Sequence, residues 1–276
     1  MPALTRAAYR INGALALAMS FGLSASPTLA EPVDVQLVLA VDVSLSMSSE
    51  ELEIQRHGYA AALTHDSVLQ AIADGVYGKI AITYVEWAGT SWQRVVVPWT
   101  VIAGRADSER VAAQLFAHTP EGARRTSISA GLQFSADLFA ESTSESTRHV
   151  IDVSGDGPNN QGAPVTGVRD ALVGQGITIN GLPLMTRSGF TSVYDIDHLD
   201  DYYRDCVIGG PSAFMIPVDD WTQFPEAVRR KLVLELAGPS SSKWASEEAM
   251  HPPVLLAQDE PATDCLSGEK MWPSRN

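Results

Sequence analysis

The sequence predicts a doubly wound α/β fold: a mostly parallel sheet with one antiparallel edge strand and helices on both faces. Three observations predict it. Short β-branched runs recur along the chain, helical periodicities separate them, and several of the runs are nearly all apolar instead of alternating. Such runs suit strands buried on both faces, and strands joined by helices make a parallel sheet.

Taken in order, residues 34–41 (DVQLVLAV) form the first buried strand. Ser48-x-x-Glu51 is a capping-box signature, so a helix follows to about His65 with Leu52, Tyr59 and Leu63 on its buried stripe. Residues 79–86 (KIAITYVE) and 94–98 (RVVVP) are the next two strands; their short link makes a hairpin, hence an antiparallel pair. Helices are expected over 108–117 and 127–139, the latter with Ile128, Leu132, Ser135 and Phe139 on one side. Strand 148–154, helix 165–173 and strand 177–182 continue the alternation. A polar insertion from Asp195 to Asp205 precedes a last strand at 213–217 (AFMIP). Asp219 or Asp220 caps the final helix, whose Trp221, Phe224, Val228 and Leu232 share a face. Beyond Gly238 the chain turns Pro- and Ser-rich and loses periodicity.

Residues 1–30 read as a signal peptide. Arg6 and Arg10 precede a short apolar stretch, and Thr28-Leu29-Ala30 fits cleavage before Glu31. The expected layout is a leader over 1–30, one domain over 31–237 and a tail over 238–276. The expected location is the periplasm or the medium, with no stable membrane insertion once the leader is removed. Removing the two arginines takes the net charge from −14 to −16. That excess argues against nucleic acid or anionic membranes as partners. Cys206 and Cys265 are the two cysteines. In an exported chain they read as a disulfide tying the tail to the domain, with two unpaired thiols as the alternative.

The chemistry gathers where strands end. In Asp42-Val43-Ser44-Leu45-Ser46 the oxygen-bearing side chains stand at alternate positions, so they can turn toward one point. Hard cations want oxygen ligands, and Mg2+ takes few carboxylates. Thr126, just ahead of a helix, and Asp156, in Ser154-Gly155-Asp156-Gly157, end on the same edge of the predicted sheet. Ligands of such sheets bind at the carboxyl ends of the strands, near the point where strand order reverses. The simpler readings are helix caps for the serines and Thr126 and a turn role for Asp156; Asn159 and Asn160 read as turn residues, with bonds to the loop backbone beside the cation as the alternative. Asp152 lies inside a strand and reads as structural; Trp87, Trp92 and Trp99 read as packing residues.

This constellation resembles the metal-ion-dependent adhesion site of von Willebrand factor A domains. The resemblance spans roughly Asp34 to Leu236, with Leu45 where that family often has Gly. More narrowly, VIDVSGDGPNN, ITINGLPL, DYYRDCVIGGPSAF and RRKLVLELA resemble an uncharacterised family of exported bacterial proteins built on this domain. The resemblance implies a cation, Mg2+ or else Mn2+ or Ca2+, held by Asp42, Ser44, Ser46, Thr126 and Asp156. It also implies a partner protein whose exposed carboxylate completes the coordination. No G-x-S-x-G elbow or P-loop occurs, so a binding module is expected and not an enzyme. The alternatives are an accessory subunit for metal insertion or complex assembly and, further off, a hydrolase.

Overall fold

The computed structural model describes residues 30–186, 196–237, 253–257 and 263–271. Apart from Ala30, the expected leader lies outside them. The strands are β1 (Glu31–Pro32), β2 (Gln36–Asp42), β3 (Ile80–Trp87), β4 (Gln93–Ile102), β5 (Ser144–Glu145), β6 (His149–Gly155), β7 (Ile177–Pro183), β8 (Phe214–Met215) and β9 (Leu255–Leu256). The helices are α1 (Ser49–Leu63), α2 (Asp66–Ala73), α3 (Arg105–Ala117), α4 (Ile128–Asp137), α5 (Val165–Val173), α6 (Leu199–Tyr202), α7 (Phe224–Ala237) and α8 (Ser267–Met271).

The main sheet runs β4-β3-β2-β6-β7-β8-β9, and β1 pairs with β5 apart from it. Every adjacent pair is parallel except β3–β4 and β8–β9. Strand β2 is buried along its whole length because both of its faces are covered. Leu37, Leu39 and Val41 enter one core with residues of α1, α2, α3 and α7; Val38 and Ala40 enter the other with residues of α4, α5 and α6. From β2 the chain goes first to β3 on one side and later to β6 on the other. The switch in strand order therefore lies at β2, between its two neighbours.

The capping box is formed as expected: the Ser48 hydroxyl accepts from the Glu51 amide, and the Glu51 carboxylate accepts from the Ser48 amide. Leu52, Tyr59 and Leu63 are all buried. Three differences have physical reasons. The chain after His65 forms α2, because the His65 ring accepts from the Ser67 amide and restarts the helix. Strand β4 extends well past Pro98, which an edge strand tolerates. Asp195 of the expected polar insertion lies outside the described residues, and within 196–205 Leu199, Tyr202 and Tyr203 are buried in the core that α5 and β7 share.

The tail region supplies a further strand and helix. Leu255–Leu256 pairs antiparallel with β8, so AFMIP is not the last strand and the sheet has an antiparallel member at both edges. Cys206 and Cys265 are bridged, with their Cα atoms 5.5 Å apart. No described helix is long and apolar enough to cross a membrane.

Candidate metal centre

Strand β2 ends in Asp42, whose carboxylate is entirely buried. Its Oδ1 accepts from the Ser44 amide at 2.7 Å, which bends the chain and brings Ser44 and Ser46 to one side. The Ser44 and Ser46 hydroxyls are 2.9 Å apart. Ser46 donates to Asp156 Oδ1 at 2.8 Å, and Ser44 reaches the same oxygen at 3.5 Å. Two strand ends, β2 and β6, are thus joined by hydroxyls that point at one carboxylate.

Thr126 is delivered by a separate device. Ser44 forms a parallel bridge with Ala123, in which Leu45 donates to Ala123 and Ala123 donates to Val43. Three residues on, Thr126 is clamped to Asn160 by a reciprocal pair: its amide donates to Asn160 Oδ1 at 3.0 Å, and the Asn160 amide donates to its carbonyl at 2.8 Å. The Ser127 amide then donates to Ala88, the residue after Trp87, which is the register partner of Asp42. Arg125, immediately before, sits at φ 75°, a left-handed conformation that costs a non-glycine residue. All five expected residues therefore stand on one sheet edge. Hydrogen bonds join Asp42, Ser44, Ser46 and Asp156 into a cluster; Thr126 stands three residues after the Ala123 bridge and is bonded to Asn160, four residues after Asp156.

The electrostatics favour a cation. Burial, followed by the charge of Asp156, holds the Asp42 carboxyl well above the usual carboxylate range. Its Oδ2 is buried and has no hydrogen-bond partner among the described residues. A buried carboxylate oxygen left this way is costly. A divalent ion would relieve both the desolvation and the repulsion. A hydroxyl that donates its proton to Asp156 keeps its lone pairs for a metal, so the donor set suits a hard cation.

Asn159 and Asn160 do more than turn the chain; between them they bond Ser129, Ala163 and Thr126. Sequence reasoning missed Tyr203, whose buried hydroxyl lies 2.8 Å from where a Cβ on Gly155 would stand. Asp152 pairs with Lys231 at 2.7 Å, the structural role expected of it. Trp87 is fully buried, and the Trp99 indole donates to Leu138. His198, Asp200 and Asp201 also bring ligand atoms within 4.8 Å of one another, yet Arg204 already neutralises Asp201 at 2.6 Å. A cleft of about 730 Å³ lies between α1, α3 and the start of α7, away from the cluster. Ile54, Ala113 and Phe116 give it an apolar wall and Glu53, His57 and Glu109 a polar one; none of the five expected ligands lines it.

Comparison with solved structures places the fold. Proximal thread matrix protein 1 from the mussel byssus, in a structure with a zinc-occupied MIDAS motif, aligns with TM-score 0.52 and 16% identity over 75% of this chain and 48% of that one. The pilus adhesin SpaC from Lactobacillus rhamnosus GG, in its open conformation, aligns with TM-score 0.54 and 13% identity over 75% of this chain and 30% of that one. A von Willebrand factor type A protein from Catenulispora acidiphila aligns with TM-score 0.47 and 13% identity, over 74% and 43% of the two chains. The chain thus spans less than half the length of each. No curated protein matches the sequence. Residues 32–240 match the family described as "Protein of unknown function (DUF1194)". With that match over most of its length, and with the fold shared with the mussel protein and the adhesin, the chain belongs to the DUF1194 family.

Proposed function

We propose that the protein is an exported, divalent-cation-dependent binding module that captures an acidic group of a protein partner. One observation carries the reading: the fully buried Asp42, its Oδ2 without a hydrogen-bond partner among the described residues, beside Asp156 and two hydroxyls that converge on the Asp156 carboxylate. Asp42, Ser44, Ser46, Thr126 and Asp156 would hold the ion, Mg2+ first and Mn2+ or Ca2+ otherwise. When bound, the ion supplies a Lewis-acidic position for a ligand carboxylate, because hydroxyls neutralise it less than carboxylates do. The chain's residues would set that position at an exposed edge: Leu45, between the two serines, is 58% exposed. An edge site outside the large cleft suits a macromolecular ligand better than an enclosed substrate. The zinc-occupied motif of the mussel protein and the adhesin role of SpaC support the same reading. The disulfide supports an oxidising compartment, and with it cleavage of a leader over 1–30. The reading is of binding, without a catalytic role.

The test is thermal unfolding in EDTA and in millimolar Mg2+ or Mn2+, on the wild type and on Asp42→Ala. Ion at ~100 Kd should add about 2.7 kcal/mol to the wild type and nothing to the variant. A wild type that neither shifts nor binds Mn2+ in direct titration would falsify the metal site.

A further inference from the structure

The loop that carries Asp156 is held from outside the family-matched region. Asn159, buried three residues after Asp156, bonds a different element at each polar atom. Its Oδ1 accepts from the Ser129 amide at 3.0 Å in α4, and its amide donates to the Tyr202 hydroxyl at 3.2 Å in α6. Its Nδ2 donates to the Ala163 carbonyl at 3.0 Å and to Glu269 Oε1 at 2.8 Å, on α8. The neighbouring Gly268 presses so closely that a Cβ would stand 2.1 Å from the Asn159 carbonyl oxygen. Both residues lie beyond residue 240, where the family match ends.

A five-residue helix has no stability of its own. Two ties fix it: the Cys206–Cys265 disulfide, and Thr263, whose amide and hydroxyl both donate to Asp205 Oδ2 at 3.0 and 2.8 Å. Asp205 and Cys206 belong to the turn Tyr203–Val207, and Tyr203 packs at Gly155 beside Asp42. The tail is therefore tied to both sides of the candidate site. A covering segment would cost least with an apolar residue at 269. Instead it places a carboxylate whose Oε2 is buried without a hydrogen-bond partner among the described residues, aimed at one loop amide.

We propose that the disulfide-tethered C-terminal segment is a brace for the metal loop, with Glu269 and Asn159 as positioning residues that hold the Asp156 turn. The effect on the ion rests on the metal reading above; the holding of the loop does not.

The experiment uses the protein purified after export, as wild type, Glu269→Ala, Glu269→Gln and the paired Cys206→Ser with Cys265→Ser. Hydrogen exchange of the Asn159 and Asn160 amides is followed in EDTA at a temperature where all four are folded, and Mn2+ affinity is measured by direct titration. Glu269→Ala and the cysteine pair should speed loop exchange at least about tenfold. They should also weaken Mn2+ about tenfold, the low end for groups behind the ligands. Glu269→Gln, which keeps the accepting oxygen, should match the wild type. Unchanged loop exchange in Glu269→Ala overturns the brace, whatever the metal does. Faster exchange with unchanged Mn2+ affinity overturns the positioning role. A wild type that binds no Mn2+ overturns the metal reading and leaves the brace to be decided by the exchange arm.

Discussion

Gly155 shows how little room the cluster leaves. A Cβ there would lie 3.0 Å from Asp42 Oδ2 and 2.8 Å from the Tyr203 hydroxyl, both on side chains fixed in the interior. Gly155→Ala should therefore lower stability by about 1–3 kcal/mol, as overpacking does. It should also change how Asp42 responds to Mg2+ in the unfolding assay. An alanine variant with unaltered midpoint and unaltered ion response would show that Asp42 is less confined than its burial indicates. Asp42, Ser44 and Ser46 were legible in the sequence because oxygen donors at alternate positions after a buried strand are a local pattern. Tyr203 and Glu269 were not. Neither stands near Asp42 or Asp156 in sequence, and only the docking of the insertion and tail brings them there.

At the scale of elements, α1 and β3 are joined by a buried ion pair. The Arg56 guanidinium donates to Glu86 Oε1, and Arg94 from β4 reaches Glu86 Oε2 at 2.9 Å. Arg56 and Glu86 are both buried, so removing one partner strands the other. Glu86→Gln should cost about 3–5 kcal/mol in denaturant unfolding, whereas Glu86→Leu combined with Arg56→Met should recover most of it. Recovery failing in the pair would mean that the ions also set the packing of α1. Helix periodicity gave the apolar stripe of α1 but not this pairing, because Arg56 and Glu86 face each other only once α1 lies on the sheet. The missed α2 is a related case. Its start is set by His65 capping Ser67, a weaker sequence signal than the Ser48–Glu51 box.

For the molecule as a whole, α7 is seated by charges in the core. Lys231 lies between Asp152 of β6, at 2.7 Å, and Glu235, which also accepts from Asn180 at 2.9 Å. One cation serves two carboxylates. Burial, then the charge of Glu235, pushes the Asp152 carboxyl up to about 7, against the pull of Lys231. A folded-state pKa above the unfolded one means that the native state binds more protons between the two values. Stability from this group is complete below about pH 4 and is lost as pH rises through about 7. In EDTA, Asp152→Asn should therefore flatten the fall in midpoint between pH 5 and pH 8. Parallel curves for variant and wild type would refute the assignment.

The sequence by itself showed the alternation of buried strands and helices, the strand ends and the Asp42-x-Ser44-x-Ser46 run, because each is a pattern a few residues long; Thr126 and Asp156 were joined to that run as ligands by a family resemblance. Leu37 to Val41 must be covered on both faces wherever they sit, and Asp42 must end that strand. Tertiary structure decided the rest. The antiparallel β9, the bridge between Cys206 and Cys265, and the contact of Glu269 with Asn159 join segments that no local periodicity connects. Their placement depends on which surfaces remain uncovered after the sheet and its helices have packed, and that is a property of the assembled core.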